Sequence, residues 1–170
     1  LVGSEMCIRD SMKSILITGG TGLIGKSLIQ SISKKEFVIY VLTRSSSRTH
    51  NNINYINWDP NEGKLDLSTI PRISYVINLA GASIDGSRWT VSYKNKILDS
   101  RVNSTKLLLD HIKTLKHKPE VYVGASASGY YKKNTKSKQI EEDKMGEDFL
   151  SEVVEKWEKE SMEFQKLGIR

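Results

Sequence analysis

The densest chemical signal in this sequence comes from residues with almost no side chain. Thr18-Gly19-Gly20-Thr21-Gly22-Leu23-Ile24-Gly25 holds G-x-G-x-x-G at Gly20, Gly22 and Gly25, overlaid on G-x-x-G-x-x-G at Gly19, Gly22 and Gly25. The apolar run Ser14 to Thr18 leads into it and a helix-period segment follows. In that context the glycines let the backbone approach a pyrophosphate. The N-terminus of the next helix offers free N–H groups and the positive end of its dipole. Gly25 lets that helix pack on the strand. Gly19, Gly20, Thr21, Gly22, Leu23, Ile24 and Gly25 are therefore candidate dinucleotide-binding residues.

A second cluster bears on which dinucleotide. Folds of this kind that take NAD usually end their second strand in Asp or Glu, which holds the ribose hydroxyls. Here the apolar run Phe37 to Leu42 ends in Thr43-Arg44-Ser45. A carboxylate would repel a 2′-phosphate, whereas a guanidinium can grip it with paired hydrogen bonds. Thr43, Arg44 and Ser45 thus point to NADP(H) in preference to NAD, with Ser46 and Arg48 as further donors. Asp59, after the third strand, stands where adenine is contacted, and an Asp-Pro turn accounts for it equally well. Leu79, Ala80 and Gly81 end the fourth strand, where small residues let ribose and phosphates pass close to the backbone.

These clusters need strand ends to hold them. The reading places strands at Ser14 to Thr18, Phe37 to Leu42, Ile53 to Trp58, Tyr75 to Leu79 and Glu120 to Ala125. Helices are expected at Leu23 to Lys35, Ser92 to Lys116 and Phe149 to Leu167, with Asp59 to Gly63 as a turn. Strands that read as near-continuous apolar runs and alternate with helices imply an α/β, doubly wound parallel sheet, the Rossmann dinucleotide-binding fold. Ligands of such sheets lie beyond the carboxyl ends of the strands, where the motifs fall.

The bulk numbers exclude other classes. With 170 residues, 38% hydrophobic and 27% charged, the chain suffices for one globular domain. No apolar run reaches membrane-spanning length. The net charge of +6 owes much to Lys132, Lys133, Lys136 and Lys138, read as a solvated loop. No interleaved aromatics accompany it, so no nucleic-acid partner is expected. His50, His111 and His117 show no metal spacing. A lone cysteine, Cys7, agrees with a reducing cytoplasm. Residues 1–11 lack a signal peptide's apolar core and resemble a translated sequencing adapter. They are expected to be a non-native leader before Met12, with 12–170 as the domain. A helix running into Gly168, with Ile169 reading as a new strand, gives the expectation of a fragment cut before its substrate-binding part.

In order along the chain, T-G-G-T-G-x-I-G, L-T-R, W-D-P, V-I-N-L-A-G-A-x-I, R-W-T, S-R-V-x-S-T, A-S-A-x-G-Y-Y and D-F-L-x-E-V-x-x-x-W-E resemble the "epimerase family protein" group of atypical extended short-chain dehydrogenases. The resemblance spans Met12 to Arg170. It implies a Rossmann domain with NADP bound across the loops above, and cofactor contacts from Lys96 and Arg101. Lys96 departs from the group, where that position is often acidic.

The superfamily implied by the resemblance moves protons through Tyr-x-x-x-Lys, the Lys lowering the phenol's pKa while hydride moves at nicotinamide. None of the seven tyrosines has Lys four residues on. Where the pair should open the last helix stand Phe149 and Val153, and Arg101 replaces an expected Asn. Ser126, Tyr130 and Tyr131 remain as candidate catalytic residues, near the expected nicotinamide, with a polar pocket wall as the alternative. Two functions follow: an NADP-dependent epimerase or oxidoreductase on a small substrate, with nucleotide-linked compounds among the candidates, or a sensor or scaffold that keeps the nucleotide site without chemistry.

Overall fold

A computed structural model describes residues 12–32, 35–132 and 138–170. The proposed leader with Cys7, and Lys133 and Lys136 of the basic loop, lie outside the described residues. The strands are β1 (Lys13–Thr18), β2 (Phe37–Thr43), β3 (Arg48–His50), β4 (Ile53–Asp59), β5 (Lys64–Leu65), β6 (Tyr75–Asn78) and β7 (Val121–Gly124). The helices are α1 (Leu23–Ser31), α2 (Val91–Thr114) and α3 (Phe149–Met162), with 3-10 turns at Ser128–Tyr130 and Glu163–Leu167.

The sheet runs β3-β4-β2-β1-β6-β7, with β5 attached to β4. β4, β2, β1, β6 and β7 are all parallel, so the five expected strands form the expected doubly wound core. From β1 the chain winds outward through β2 to β4, then crosses to β6 on the other side. The reversal of direction lies between β1 and β6, the place where such sheets open a crevice.

Alternation along β1 serves both faces. Ile15 and Ile17 join Ile29 of α1 with Ile39, Val41 and Ile53 in one core cluster. Leu16 joins Val76, Leu108, Leu109, Ile112 and Phe164 in the other. Each such side chain contributes about 1.5–3 kcal/mol by leaving water. On α2, Ile97, Leu108, Leu109 and Ile112 are buried, while Tyr93 and Val102 are half-buried. On α3 Val153 and Trp157 are buried and Phe149 is half-buried, and Phe164 is buried in the 3-10 turn that follows.

Three local readings change. The first helix ends at Ser31, because Ile32 turns extended and packs beside Phe37 at the edge of the Ile29 cluster. Leu23 and Ile24 are 89% and 69% exposed, so they belong to the loop's chemistry and leave the helix's inner face to Gly25 and Ile29. The turn after Asp59 is a hairpin, with Gly63 left-handed at φ 63° and Trp58 paired to Leu65. The short strands β3 and β5 carry too few apolar residues to show a period.

Candidate nucleotide-binding site

The carboxyl ends of β1, β2, β4 and β6 surround an open cleft of about 1070 Å³. Its wall includes Gly19, Thr21 and Gly22 of the glycine loop, Thr43 and Arg44 after β2, and Leu79 to Gly81 after β6. Leu42, Trp58 and Pro60 add an apolar floor, and Lys96 lines the α2 side.

Two glycines are demanded by the fold. Gly19 is left-handed at φ 66°, and a Cβ on it would collide with the Leu79 carbonyl. A Cβ on Gly25 would run into the Gly19 carbonyl, so α1 lies against its own loop only because that side chain is missing. Gly20 sits against Val41, beneath the cleft surface. Gly22 differs: its φ of −78° suits any residue, and the nearest atom to a Cβ there is the Gly19 oxygen at 3.3 Å. Gly22 is also the N-cap of α1 and supplies no capping side chain. The first-turn N–H groups of Leu23, Ile24 and Gly25 therefore have no intrahelical acceptor. A bare cradle under uncapped N–H groups fits a pyrophosphate, so the residues present suit the dinucleotide that the motif implies.

The floor of the cleft is held by buried polar groups that the sequence reading passed over. Thr18 Oγ1 donates to Asn78 Oδ1 at 2.5 Å and accepts from the N–H groups of Leu79 (3.1 Å) and Ala80 (3.0 Å). Asn78 Nδ2 donates to Thr105 Oγ1 (2.9 Å) and Tyr122 Oη (3.0 Å), and Tyr122 reaches Ser161 at 3.1 Å. Thr18, Asn78 and Thr105 are completely buried. The signal available in sequence was a polar residue at the end of each apolar strand. The S-R-V-x-S-T segment finishes the job from α2. Ser100 Oγ accepts from the Ala82 N–H (2.9 Å) and Arg101 Nη1 donates to the Ala82 carbonyl (3.1 Å).

Arg101 therefore stands one layer behind the cleft. Its guanidinium lies across Gly81, where a Cβ would come within 3.0 Å of Cζ, and over the Trp157 ring at 5.4 Å. Burial pulls its pKa down. It positions the Gly81–Ala82 backbone where direct cofactor contact was expected. Lys96 does line the cleft, its ammonium 5.7 Å from the Tyr93 ring centroid. Asp59 Oδ1 accepts from the N–H groups of Asn61 (2.9 Å) and Glu62 (3.4 Å), the turn role, while its neighbours Trp58 and Pro60 line the cleft. Arg48 lies on β3, stacked over Tyr55 at 4.4 Å and bonded to the Ser46 carbonyl.

At the tip of β2, Ser45 N–H donates to Thr43 Oγ1 at 3.2 Å. The Arg44 side chain lines the cleft, is exposed, and has no ion pair among the described residues.

Ser126, Tyr130 and Tyr131 are not among the residues lining this cleft. Ser126 Oγ donates to the Glu158 carboxylate in a short hydrogen bond and lines a smaller cavity of about 230 Å³ beside β7. Tyr130 and Tyr131 meet edge to face at 5.3 Å. Burial, helped by the carboxylates of Glu141, Glu158 and Asp143, raises the Tyr131 pKa, the reverse of what an activated phenol needs. Phe149 opens α3 as read, with Trp89 edge-on at 5.6 Å and the Lys94 ammonium 5.2 Å from its centroid. Val153 is buried.

Parallel sheet, glycine loop and rim cleft together define a Rossmann-like nucleotide-binding fold. Residues 15–152 match the family described as the NAD dependent epimerase/dehydratase family, and the chain belongs to it. It is 45% identical over 161 residues to an epimerase family protein of Staphylococcus saprophyticus, covering 94% of this chain and 53% of that one. A relative in Staphylococcus haemolyticus is 40% identical with similar coverage, 94% and 52%. The chain thus spans about half the length of the curated relatives it matches. Among solved structures, a human epimerase family protein with NADPH superposes with a TM-score of 0.73 at 27% identity, over 87% of this chain and 48% of that one. A nucleoside-diphosphate sugar epimerase from Corynebacterium glutamicum gives 0.75 at 25% identity, over 99% and 34%. Among the described residues, no helix is long and apolar enough to cross a membrane.

Proposed function

We propose that this chain binds NADP(H) in the rim cleft and serves an oxidoreductase or epimerase acting on a small substrate, with nucleotide-linked sugars as the substrate class. The observation that carries the cofactor choice is Arg44: an exposed arginine at the tip of β2, in place of an acid, on the cleft wall and with no ion pair among the described residues. In this reading Gly22 and the first turn of α1 hold the pyrophosphate, while Arg44 and Ser45 take the 2′-phosphate. Leu42 and Trp58 receive the adenine, and Leu79 to Gly81 let the ribose pass. When bound, the nicotinamide supplies a hydride donor or acceptor. The relative solved with NADPH and the sugar-nucleotide epimerase among the structural neighbours support this choice of class.

The test is a titration with NADPH and NADH. Arg44→Asp replaces a charge-assisted contact with repulsion, and is expected to weaken NADPH about a hundredfold while sparing NADH. An unchanged NADPH affinity would remove Arg44 from the 2′-phosphate site.

A second reading has its own observation. Phe149 and Val153 leave the opening of α3 without a phenol or an ammonium, and Tyr131 is made harder to ionise. A nucleotide sensor or scaffold would keep the cleft and dispense with proton transfer. Nicotinamide turnover on a panel of carbonyl and sugar-nucleotide substrates separates the two. Tight binding with no turnover on any substrate selects the sensor.

A further inference from the structure

The tip of β2 does not hold its own shape. After Thr43 the chain leaves the sheet, and the exposed Arg44 side chain forms no ion pair with another of the described residues. What ties the segment down is Asn57, on the neighbouring strand β4 and directly across from Thr43 in the parallel register. Asn57 Nδ2 donates to two successive carbonyls, Arg44 O at 3.2 Å and Ser45 O at 3.0 Å. The Asn57 backbone N–H donates to Ser47 Oγ at 2.9 Å. One residue thus holds three of the four positions that follow Thr43, gripping Arg44 and Ser45 at their carbonyls and Ser47 at its hydroxyl.

The chemistry of this clamp is specific. Both partners of the side chain are acceptors, so only a group with two N–H donors fits between them. An aspartate of the same shape would set a carboxylate against two carbonyl oxygens. With both carbonyls held toward β4, the Arg44 Cα is fixed at the cleft edge and the guanidinium starts from one place. Asn57 itself is not among the cleft-lining residues, while Thr43, Arg44 and Trp58 on either side are.

We propose that Asn57 is a specificity-determining positioning residue: it orders the Arg44–Ser47 segment so that the guanidinium meets the 2′-phosphate, and so sets the preference for NADP(H) over NAD(H). This rests on the assignment of Arg44 to the 2′-phosphate made above. It differs from a general structural role in what it moves. A strand-edge contact that merely stabilises β4 would change both dinucleotides alike or neither.

The experiment measures Kd for NADPH and for NADH, by nicotinamide fluorescence, in the parent, Asn57→Leu, Arg44→Ala and the double variant. Asn57→Leu keeps the volume and removes the donors without adding charge. NADPH is expected to bind about tenfold more weakly in Asn57→Leu, the equivalent of one lost well-placed hydrogen-bonding arrangement, with NADH within about twofold of the parent. The double variant is expected to be no weaker than Arg44→Ala, because the two residues act through one contact. Full additivity, or equal losses for both nucleotides, overturns the role of Asn57. If Asn57→Leu fails to fold, Asn57→Ala takes its place, removing both donors by truncation. A selectivity drop in that variant supports the proposal and an unchanged ratio opposes it. Should Arg44→Ala leave the ratio untouched, the cofactor assignment itself fails. Should Arg44→Ala act while Asn57→Leu does not, only the positioning role fails.

Discussion

The same sheet rim carries two opposite constructions. At the ends of β1, β2 and β6 the chain empties the rim. Glycine and alanine bare the backbone, no side chain caps the helix N-terminus, and the exposed Arg44 has no ion pair among the described residues. At the end of β7 and the start of α3 the chain fills it. Tyr130 sits on Tyr131, Trp89 on Phe149, Ser126 on Glu158, and the Asp148 carboxylate caps α3 through the N–H groups of Leu150 and Ser151. Both ends begin a helix after a parallel strand, yet only one leaves its donors open. An arrangement that receives an anion must keep hydrogen-bonding capacity in reserve, and an arrangement that satisfies itself loses that capacity.

The contrast can be broken first at the glycines. Gly25→Val forces a side chain into the Gly19 carbonyl, and the expected cost is above about 3 kcal/mol, read as a lowered midpoint in chemical denaturation. A variant with parent stability would mean that α1 can lift off its loop. Next is Thr18→Val, which removes the hydroxyl shared by Asn78 Oδ1 and the N–H groups of Leu79 and Ala80 and leaves them only longer bonds, Leu79 N–H to the Thr18 carbonyl at 3.3 Å and Ala80 N–H to Asn78 Oδ1 at 3.4 Å. A loss of about 2–3 kcal/mol is expected, with dinucleotide affinity falling as well because the floor of the cleft shifts. Gly22→Ala separates binding from folding. Stability should stay within about 0.5 kcal/mol while NADPH binds about tenfold more weakly, and a parallel fall in both would show that Gly22 belongs with Gly19 and Gly25. The smallest effect lies on the filled side. Tyr131, its folded pKa raised by burial, should ionise above the ordinary tyrosine value of 10.0, seen as a high-pH component of tyrosinate absorbance missing from Tyr131→Phe. Because the folded state holds that proton longer than the unfolded chain, stability at this site is intact below the unfolded pKa and declines as pH rises past it. Titration below the ordinary range would reveal an activated phenol and dissolve the comparison.

The architecture was legible because it is written in periodicity. Apolar runs such as SILIT and FVIYVL can lie only in a sheet covered on both faces, and the glycine loop marks which strand comes first. The bare side of the site was legible for a related reason: glycines and a strand-end arginine are departures from the ordinary, visible without coordinates. The polar scaffolding was not. Thr18 and Asn78 read as strand ends, and their partners Thr105 and Tyr122 lie 27 and 44 residues beyond Asn78, a separation no local pattern spans. The hydrogen bond of Arg101 to the Ala82 carbonyl was not legible, since a charge on a helix says nothing of which layer it occupies until the loop it crosses is in place. Ser126 shows the same limit: its position after β7 follows from sequence, but its carboxylate partner does not.

One hydroxyl, that of Thr18, ties the strand beneath the phosphate loop to the backbone that faces it. The width of the slot is consequently set by a threonine and an asparagine that are wholly buried beneath it. The tip of β2 is fastened separately, to the far neighbour β4. Grip and choice therefore have independent anchors. If Arg44 takes the 2′-phosphate as proposed, rewriting a few residues at that tip would exchange one dinucleotide for the other and leave the glycine loop as it is.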